Sequence, residues 1–208
     1  MIVLGTPGRA AGDRTAEERM SRDPDLGTFG RFVETRVEQM DAVTRAAYDL
    51  TRKLLGIVPG PHRIWLANPA LAEILAPVGA YFQDRSTLTK AEIQIAGCVV
   101  AGRWRASYAT TEHERIGEDA GGLDPREVQA LISGLPAAFD DVRQQAVYEL
   151  ASTLVAARVV PLGLFRRARE LLGDAGIVEV TVLLGWLTAV SLTLTAYDVP
   201  SDAAGLDH

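Results

Sequence analysis

The chain has 208 residues, 48% of them hydrophobic and 23% charged, a size at which one domain encloses its core without staples. A single cysteine, Cys98, excludes an intramolecular disulfide and a Cys-x-x-Cys pair, and with only three histidines (His62, His113, His208) it argues against a four-ligand zinc site. The 21 basic and 27 acidic residues leave a formal charge of -6 and no basic block able to neutralise a run of phosphates, so nucleic acid is not an expected partner.

Residues 1–27 scatter Gly5, Pro7, Gly8, Gly12, Pro24 and Gly27 among charges without a sustained period, and are expected to form an N-terminal arm ahead of one domain over 28–208. Met1 to Gly5 is too short for the apolar core of a leader, which makes the expected location cytoplasmic. From Thr28, the recurrence of Phe32, Val33, Val37, Met40, Val43, Ala47 and Leu50 at three- and four-residue steps predicts an amphipathic helix, stopped by Gly56 and Pro59-Gly60-Pro61. Arg63 to Ala67 reads as helical. So does Pro69 to Phe82, with Asn68 as N-cap and Leu71, Ile74, Leu75, Val78 and Phe82 as its buried face.

Thr89 followed three residues later by Glu92 forms a capping-box pattern before the apolar run Ile93, Ile95, Ala96, Val99 and Val100, so a helix is expected from about Thr89 to the 102–104 region. A second helix is expected from about Ala106 to Gly121-Gly122, making a tight pair. Asp124-Pro125 opens the next, which ends before Gly134. Asp140 to Ala157 is a long amphipathic stretch, with Val142, Ala146, Leu150, Thr153 and Leu154 inward. Leu162 to Leu172 is helical, Gly173 to Gly176 a turn, and Val178 to Ala196 a helix apolar nearly all round. The stretch from Ile177 to Ala196 contains Glu179 and hydroxyl residues, and reads as a core or subunit-interface helix with no membrane partner. No segment carries a strand series, and the fold class is all-α.

The stretch Leu88-Thr89-Lys90-Ala91-Glu92-Ile93-Gln94-Ile95-Ala96, followed by Val99 to Tyr108 and then His113-Glu114, resembles the core of the carboxymuconolactone decarboxylase family. That superfamily includes the alkylhydroperoxidase D-like proteins. Asn68-Pro69-Ala70-Leu71-Ala72 upstream, and Val178-Glu179-Val180, Gly185-Trp186 and Ala196 to Pro200 downstream, extend the resemblance over roughly Gly60 to Pro200. It implies a helical bundle that assembles as a homo-oligomer, a trimer or hexamer, with sites at helix packing seams. A dimer is the smaller alternative.

The resemblance also shows what has been replaced. Redox members carry Cys-x-x-Cys-x-x-x-His preceded by a glutamate; aligned on His113, the cysteine positions hold Ala106 and Ala109, and the glutamate position holds Gln94. Non-redox members commonly read Tyr-Glu-Trp-x-x-His, and here Tyr108 and His113 remain while Ala109 and Thr110 stand between. His113 follows Ala109 by one helical turn and Ala106 by two, so the three share a face, with space beside the imidazole. Gln94 offers the histidine a hydrogen bond but no charge.

Two readings follow. In one, His113, Tyr108 and Gln94 form the catalytic group of a cofactor-independent lyase or isomerase that moves a proton on a small organic acid, lactone or specialised metabolite. In the other, the chain is a ligand-binding or structural oligomer whose pocket outlived its chemistry. A thiol-dependent peroxidase ranks third, because the resolving thiol is missing.

Trp104, Cys98 and Ala109 are candidate substrate-binding residues. Cys98 lies four residues after Gln94 and either points its thiol at the pocket or is an inert core residue. His62 lines a pocket mouth or lies in a surface loop, and Glu112, Glu114 and Glu118 are read as a solvated face.

Overall fold

Residues 26–206 are described by a computed structural model, and the regular elements among them are helices: α1 (Ala42–Leu55), α2 (Gly60–Trp65), α3 (Pro69–Asp84), α4 (Lys90–Trp104), α5 (Ser107–Asp119), α6 (Pro125–Ser133), α7 (Val142–Val155) and α8 (Leu162–Ala196). The all-α class is therefore observed, with no strands among the described residues. The expected N-terminal arm lies, except for residues 26 and 27, outside the described part of the chain.

Local chemistry accounts for most of the boundaries. Asn68 accepts from the Leu71 amide ahead of Pro69, and Asp124 and Asp141 cap α6 and α7 in the same manner. The capping box at α4 is complete: Thr89 accepts from the Glu92 amide while the Glu92 carboxylate accepts from the Thr89 amide.

The first helix departs from its periodicity. Residues 28–41 are not helical: a bridge pairs Phe29 with Phe32, a 3-10 turn covers Val37–Gln39, and α1 begins only after Asp41, whose carboxylate accepts from Thr44. The apolar spacing reflects a loop pinned at points. Phe29 is fully buried with its ring edge-on to Tyr108, and Phe32 packs edge-on to Tyr197, whereas Val33 and Val43 are exposed.

Two buried faces also differ from expectation. On α3, Ala72, Ala76 and Phe82 face inward while Leu71 and Ile74 are exposed. On α7, Val147 and Ala151 join Ala146 and Leu150 inside, whereas Val142 points to solvent. The expected four-residue turn at 173–176 contracts to one residue: Gly173, at φ 70° and ψ 174°, breaks α8 and the helix resumes directly after it.

Helix α4 is the central element, packed against α5, α6, α7 and α8, while α1 packs on α3 and α2 bridges α3 to α8. One core cluster gathers Ile95, Val100, Val128, Val147, Leu150, Val180 and Leu183; a second gathers Phe29, Tyr48, Ile64, Trp65, Ala109, Val190 and Leu194. By length and composition α8 is apolar enough to cross a membrane, yet Leu183, Leu184, Leu187 and Leu194 are spent on these two clusters.

Polar ties hold the two clusters in register. Glu179 of α8 accepts from the Tyr81 hydroxyl, the Ser86 and Thr87 hydroxyls and the Thr87 amide, fastening α8 to the α3–α4 corner. Burial pushes this carboxyl upward, but the donors from Thr87, Tyr81 and Ser86 outweigh it and hold it below its ordinary value. Glu92, also buried, pairs with Arg143 at 2.9 Å and so joins α4 to α7. Around α2, Arg63 donates to Glu34 at 2.7 Å and to the Leu206 carbonyl at 2.8 Å, and Trp65 Nε1 donates to Thr193 at 3.0 Å.

Candidate functional site

The seam between the two clusters opens into a cavity of about 470 Å³ with contributions from α1, α2, α3, α4, α5 and α8. Its walls are mainly apolar, from Leu55, Phe82, Ile93, Ile116, Leu187 and Val190. The polar groups on it are Gln83, Lys90, Gln94, Tyr108, Glu112, His62 and His113. A cavity of this size suits a small organic molecule.

The α4–α5 turn positions the central pair. Arg105 closes α4 in the left-handed region at φ 52°, and the chain reverses immediately into α5. Running antiparallel, α5 brings His113 back beside Gln94, with Nδ1 of the imidazole 2.7 Å from Oε1 of the amide. That oxygen can only accept, so Nδ1–H donates to it and Nε2 carries the lone pair. The close approach depends on Gly97: a Cβ there would lie 2.5 Å from His113 Nδ1.

Burial pushes the His113 imidazole down to about 4, against a smaller upward pull from Glu112, so the ring is neutral at pH 7. With the amide in place of a carboxylate, nothing beside Nδ1 offsets that desolvation. Tyr108 packs its ring over Gly60 and against Phe29, and burial, with Glu112 adding to it, raises its hydroxyl above the ordinary value. It stays a protonated hydrogen-bond donor.

Of the residues expected from the sequence, Gln94, Tyr108, Ala109 and His113 line the cavity together. Cys98 does not. It is fully buried in the α4 core cluster, with its thiol pushed up to about 12 by burial and, less strongly, by Glu114 and Glu118. Trp104 is also absent from the walls: it packs at the far end of α4 with the Arg103 guanidinium 5.4 Å over its ring. One turn of α4 separates Gln94, on the cavity, from Cys98, in the core.

Other residues join them, Glu112 and Trp186 against expectation. Glu112 sits at the cavity wall and pairs with Arg115 at 3.0 Å, although it neighbours His113 in sequence. Trp186 of α8 lines the cavity too. His62 is 3% exposed on α2, edge-on to Trp65 at 4.8 Å, and burial lowers it to about 4. Of the two readings left open for it, pocket mouth or surface loop, the docking of α2 under α8 selects the first.

Set beside solved structures, the chain superposes on an uncharacterized peroxidase-related protein from Silicibacter sp. TM1040 with a TM-score of 0.63 and 18% identity, covering 77% of this chain and 86% of that one. The fold is the alkylhydroperoxidase-like helical bundle. It also superposes on the debrominase Bmp8, solved as a cysteine-to-alanine variant in complex with 2,3,4-tribromopyrrole, with a TM-score of 0.61 and 13% identity over 78% of this chain and 87% of that one. No protein-family model matches the sequence, and no curated protein matches it. These likenesses place the bundle architecture. On that architecture the Gln94–His113 pair occupies neighbouring helices, with alanines where the resemblance to the redox members places thiols.

Proposed function

We propose that this protein is a carboxymuconolactone decarboxylase-like, cofactor-independent lyase or isomerase that moves a proton on a small, largely apolar substrate such as a lactone or an enolisable specialised metabolite. The observation that carries the reading is the 2.7 Å Nδ1 to Oε1 contact between His113 and Gln94, which fixes a neutral tautomer with Nε2 as base. In this scheme Nε2 takes the proton from a carbon next to a carbonyl, and the Tyr108 hydroxyl donates a hydrogen bond to the enolate oxygen that develops. An imidazolium is disfavoured in this apolar setting, so the proton returns promptly to the same or a neighbouring carbon.

The walls favour a neutral or singly charged substrate. Lys90 is the one cationic side chain on them and it is exposed, so a buried dicarboxylate would lack partners. The ligand of the debrominase, a brominated pyrrole, is likewise a small apolar ring with one polar edge.

Incubation with a panel of enolisable γ-lactones in D₂O tests the scheme by proton NMR. Deuterium should enter next to the carbonyl with the native protein and not with a folded His113→Ala variant. Equal exchange in both would sink it.

A second reading, binding without turnover, is favoured by one observation: the group beside Nδ1 is the neutral Gln94 amide, which does not stabilise an imidazolium as a carboxylate would. Saturable binding of lactones with no exchange would support it.

We further propose a homo-oligomer in which copies meet through α8. Val178, Val182 and Leu192 are exposed along one side of that helix, an apolar face that a second copy would cover. Sedimentation showing only monomer at micromolar concentration would overturn this. The cytoplasmic location is likewise a proposal, and recovery of the protein outside the soluble fraction of the source cells would overturn it.

A further inference from the structure

His62 is buried in a manner the fold does not need. Its residue is 3% exposed, and both ring nitrogens are sealed from solvent without a hydrogen-bond partner. No other buried side-chain nitrogen or oxygen among the described residues is in that condition. Buried polar groups in folded proteins nearly always find partners. A phenyl ring would make the same edge contacts to Trp65, at 4.8 Å, and to Trp186, at 5.9 Å, without the unpaired nitrogens.

The imidazole is also held where it is. Two residues that follow it in α2 are anchored, Arg63 by Glu34 and the Leu206 carbonyl and Trp65 by Thr193, so the helix is tied at two points to the rest of the bundle. Ring contacts to Trp65 and Trp186 occupy two sides. A further side belongs to the wall of the cavity that His113, Gln94 and Tyr108 also line. No polar group among the described residues reaches the His62 nitrogens, so the remaining source of a partner is the content of that cavity, met by a small rotation of the ring toward the wall it lines.

We propose that His62 is a second ligand-contacting residue of this cavity, and that the ligand is a small aromatic or heteroaromatic ring carrying two hydrogen-bonding groups, one met by His113 and the other by His62. The inference rests on the reading of the His113 end as the place where a ligand is received. The chemistry of the two ends differs. Nε2 of His113 accepts only, because Nδ1 is engaged with Gln94, so the group there is a hydroxyl or ring N–H. Neutral His62 has one donor and one acceptor nitrogen and takes a hydroxyl, carbonyl or amide. Between them the walls are apolar, with Trp186 offering an aromatic face for a flat ring. His62 thus selects among ligands by the second substituent, since a site built to pair a polar group rejects the analogue lacking it.

The test uses two probes, phenol and 4-hydroxybenzaldehyde, titrated by NMR into the native protein, His62→Phe and His113→Ala. The native protein should bind the aldehyde at least tenfold more tightly than phenol. His62→Phe should retain phenol and lose the preference, the two affinities converging. A preference unchanged in His62→Phe, or no binding of either probe to the native protein at millimolar concentration, would overturn the proposal. Loss of preference in His62→Phe combined with undiminished phenol binding in His113→Ala would leave His62 as a ligand contact and overturn the His113 reading alone. A ligand-free measurement is independent of the probes: His62→Phe should raise Tm, because an unpaired polar ring is exchanged for an apolar one of similar shape. A lowered Tm would mean the nitrogens are already satisfied within the protein, and would overturn the proposal as well.

Discussion

Nδ1 of His113 meets Oε1 of Gln94 at 2.7 Å across the antiparallel pair α4 and α5, so that the tautomer of a half-buried imidazole is set by a neutral amide. A carboxylate in that place would stabilise the protonated ring. Gln94→Glu should therefore raise His113 from about 4 toward or above its ordinary value near 6.5. An NMR titration of the ring protons would follow this directly, and an unmoved midpoint would contradict the geometry. If His113 acts as a base, proton exchange on a bound lactone should rise in the same variant.

Stability should fall on acidification. Both His62 and His113 are lowered from 6.5 to about 4 in the folded chain, chiefly by burial. Between those values the unfolded chain carries the extra protons, so unfolding becomes more favourable as pH drops through the window and levels off below it. Each histidine costs about 3 kcal/mol across that window. Urea midpoints measured from pH 7.5 to pH 3.5 should show the loss, and His62→Phe should remove about half of the histidine part. A flat profile between pH 6.5 and 4 would contradict the burial of these rings.

Gly97 should be intolerant of the smallest side chain. In an exposed helix interior, glycine to alanine gains about 1 kcal/mol. Here the added carbon would stand 2.5 Å from His113 Nδ1, and the imidazole must leave Gln94 to make room. Gly97→Ala should lower stability by about 1 to 3 kcal/mol and abolish ligand-induced shifts of the His113 ring. A variant as stable as the parent with the hydrogen-bonded Nδ1 proton intact would refute the close approach.

Arg143 neutralises Glu92, whose side chain is 1% exposed on the central helix, through contacts at 2.9 and 3.3 Å. Removing the guanidinium strands a buried charge, and Arg143→Ala should cost about 3 kcal/mol. Because Glu92 also completes the cap of α4, the helix that carries Gln94, the loss should extend to the site. Denaturant unfolding of Arg143→Ala beside Arg143→Ala/Glu92→Gln would check this, the double variant recovering part of the deficit.

Cys98 should be silent in the native state. Its thiol is buried, and at about 12 it carries almost no thiolate at pH 8. Labelling by a disulfide reagent should proceed only as fast as the protein opens, and should complete at once in denaturant. Rapid native labelling would restore the cysteine to the list of candidate site residues.

The helices from α3 onward were legible because their signals are local. Asn68-Pro69, Thr89 with Glu92, and Asp124-Pro125 state their own boundaries through side chains that reach backbone amides one turn away. Periodicity by itself was less decisive. Phe32 opens a series at helical spacing yet, with Phe29, anchors a loop, because a phenylalanine satisfies burial in either backbone conformation when a partner ring is supplied by Tyr197 or Tyr108.

The single cysteine and the spacing from Gln94 to Ala106, Ala109 and His113 belonged to the sequence alone: an all-helical class, a cavity-side histidine, and no second thiol for a dithiol reaction. Which of the neighbouring residues share that cavity was decided only by packing. Gln94 faces His113 while Cys98, one turn on, is in the core; Trp104 is drawn away and Trp186 in; His62, in an apparent loop, closes the wall. Helical spacing gives the direction of a side chain relative to its own axis. What it faces depends on how α5 and α8 cross α4 and how α2 docks on α8, and those placements are set by ties between residues 28 to 128 positions apart, such as Trp65 with Thr193 and Arg143 with Glu92 or the Leu171 carbonyl.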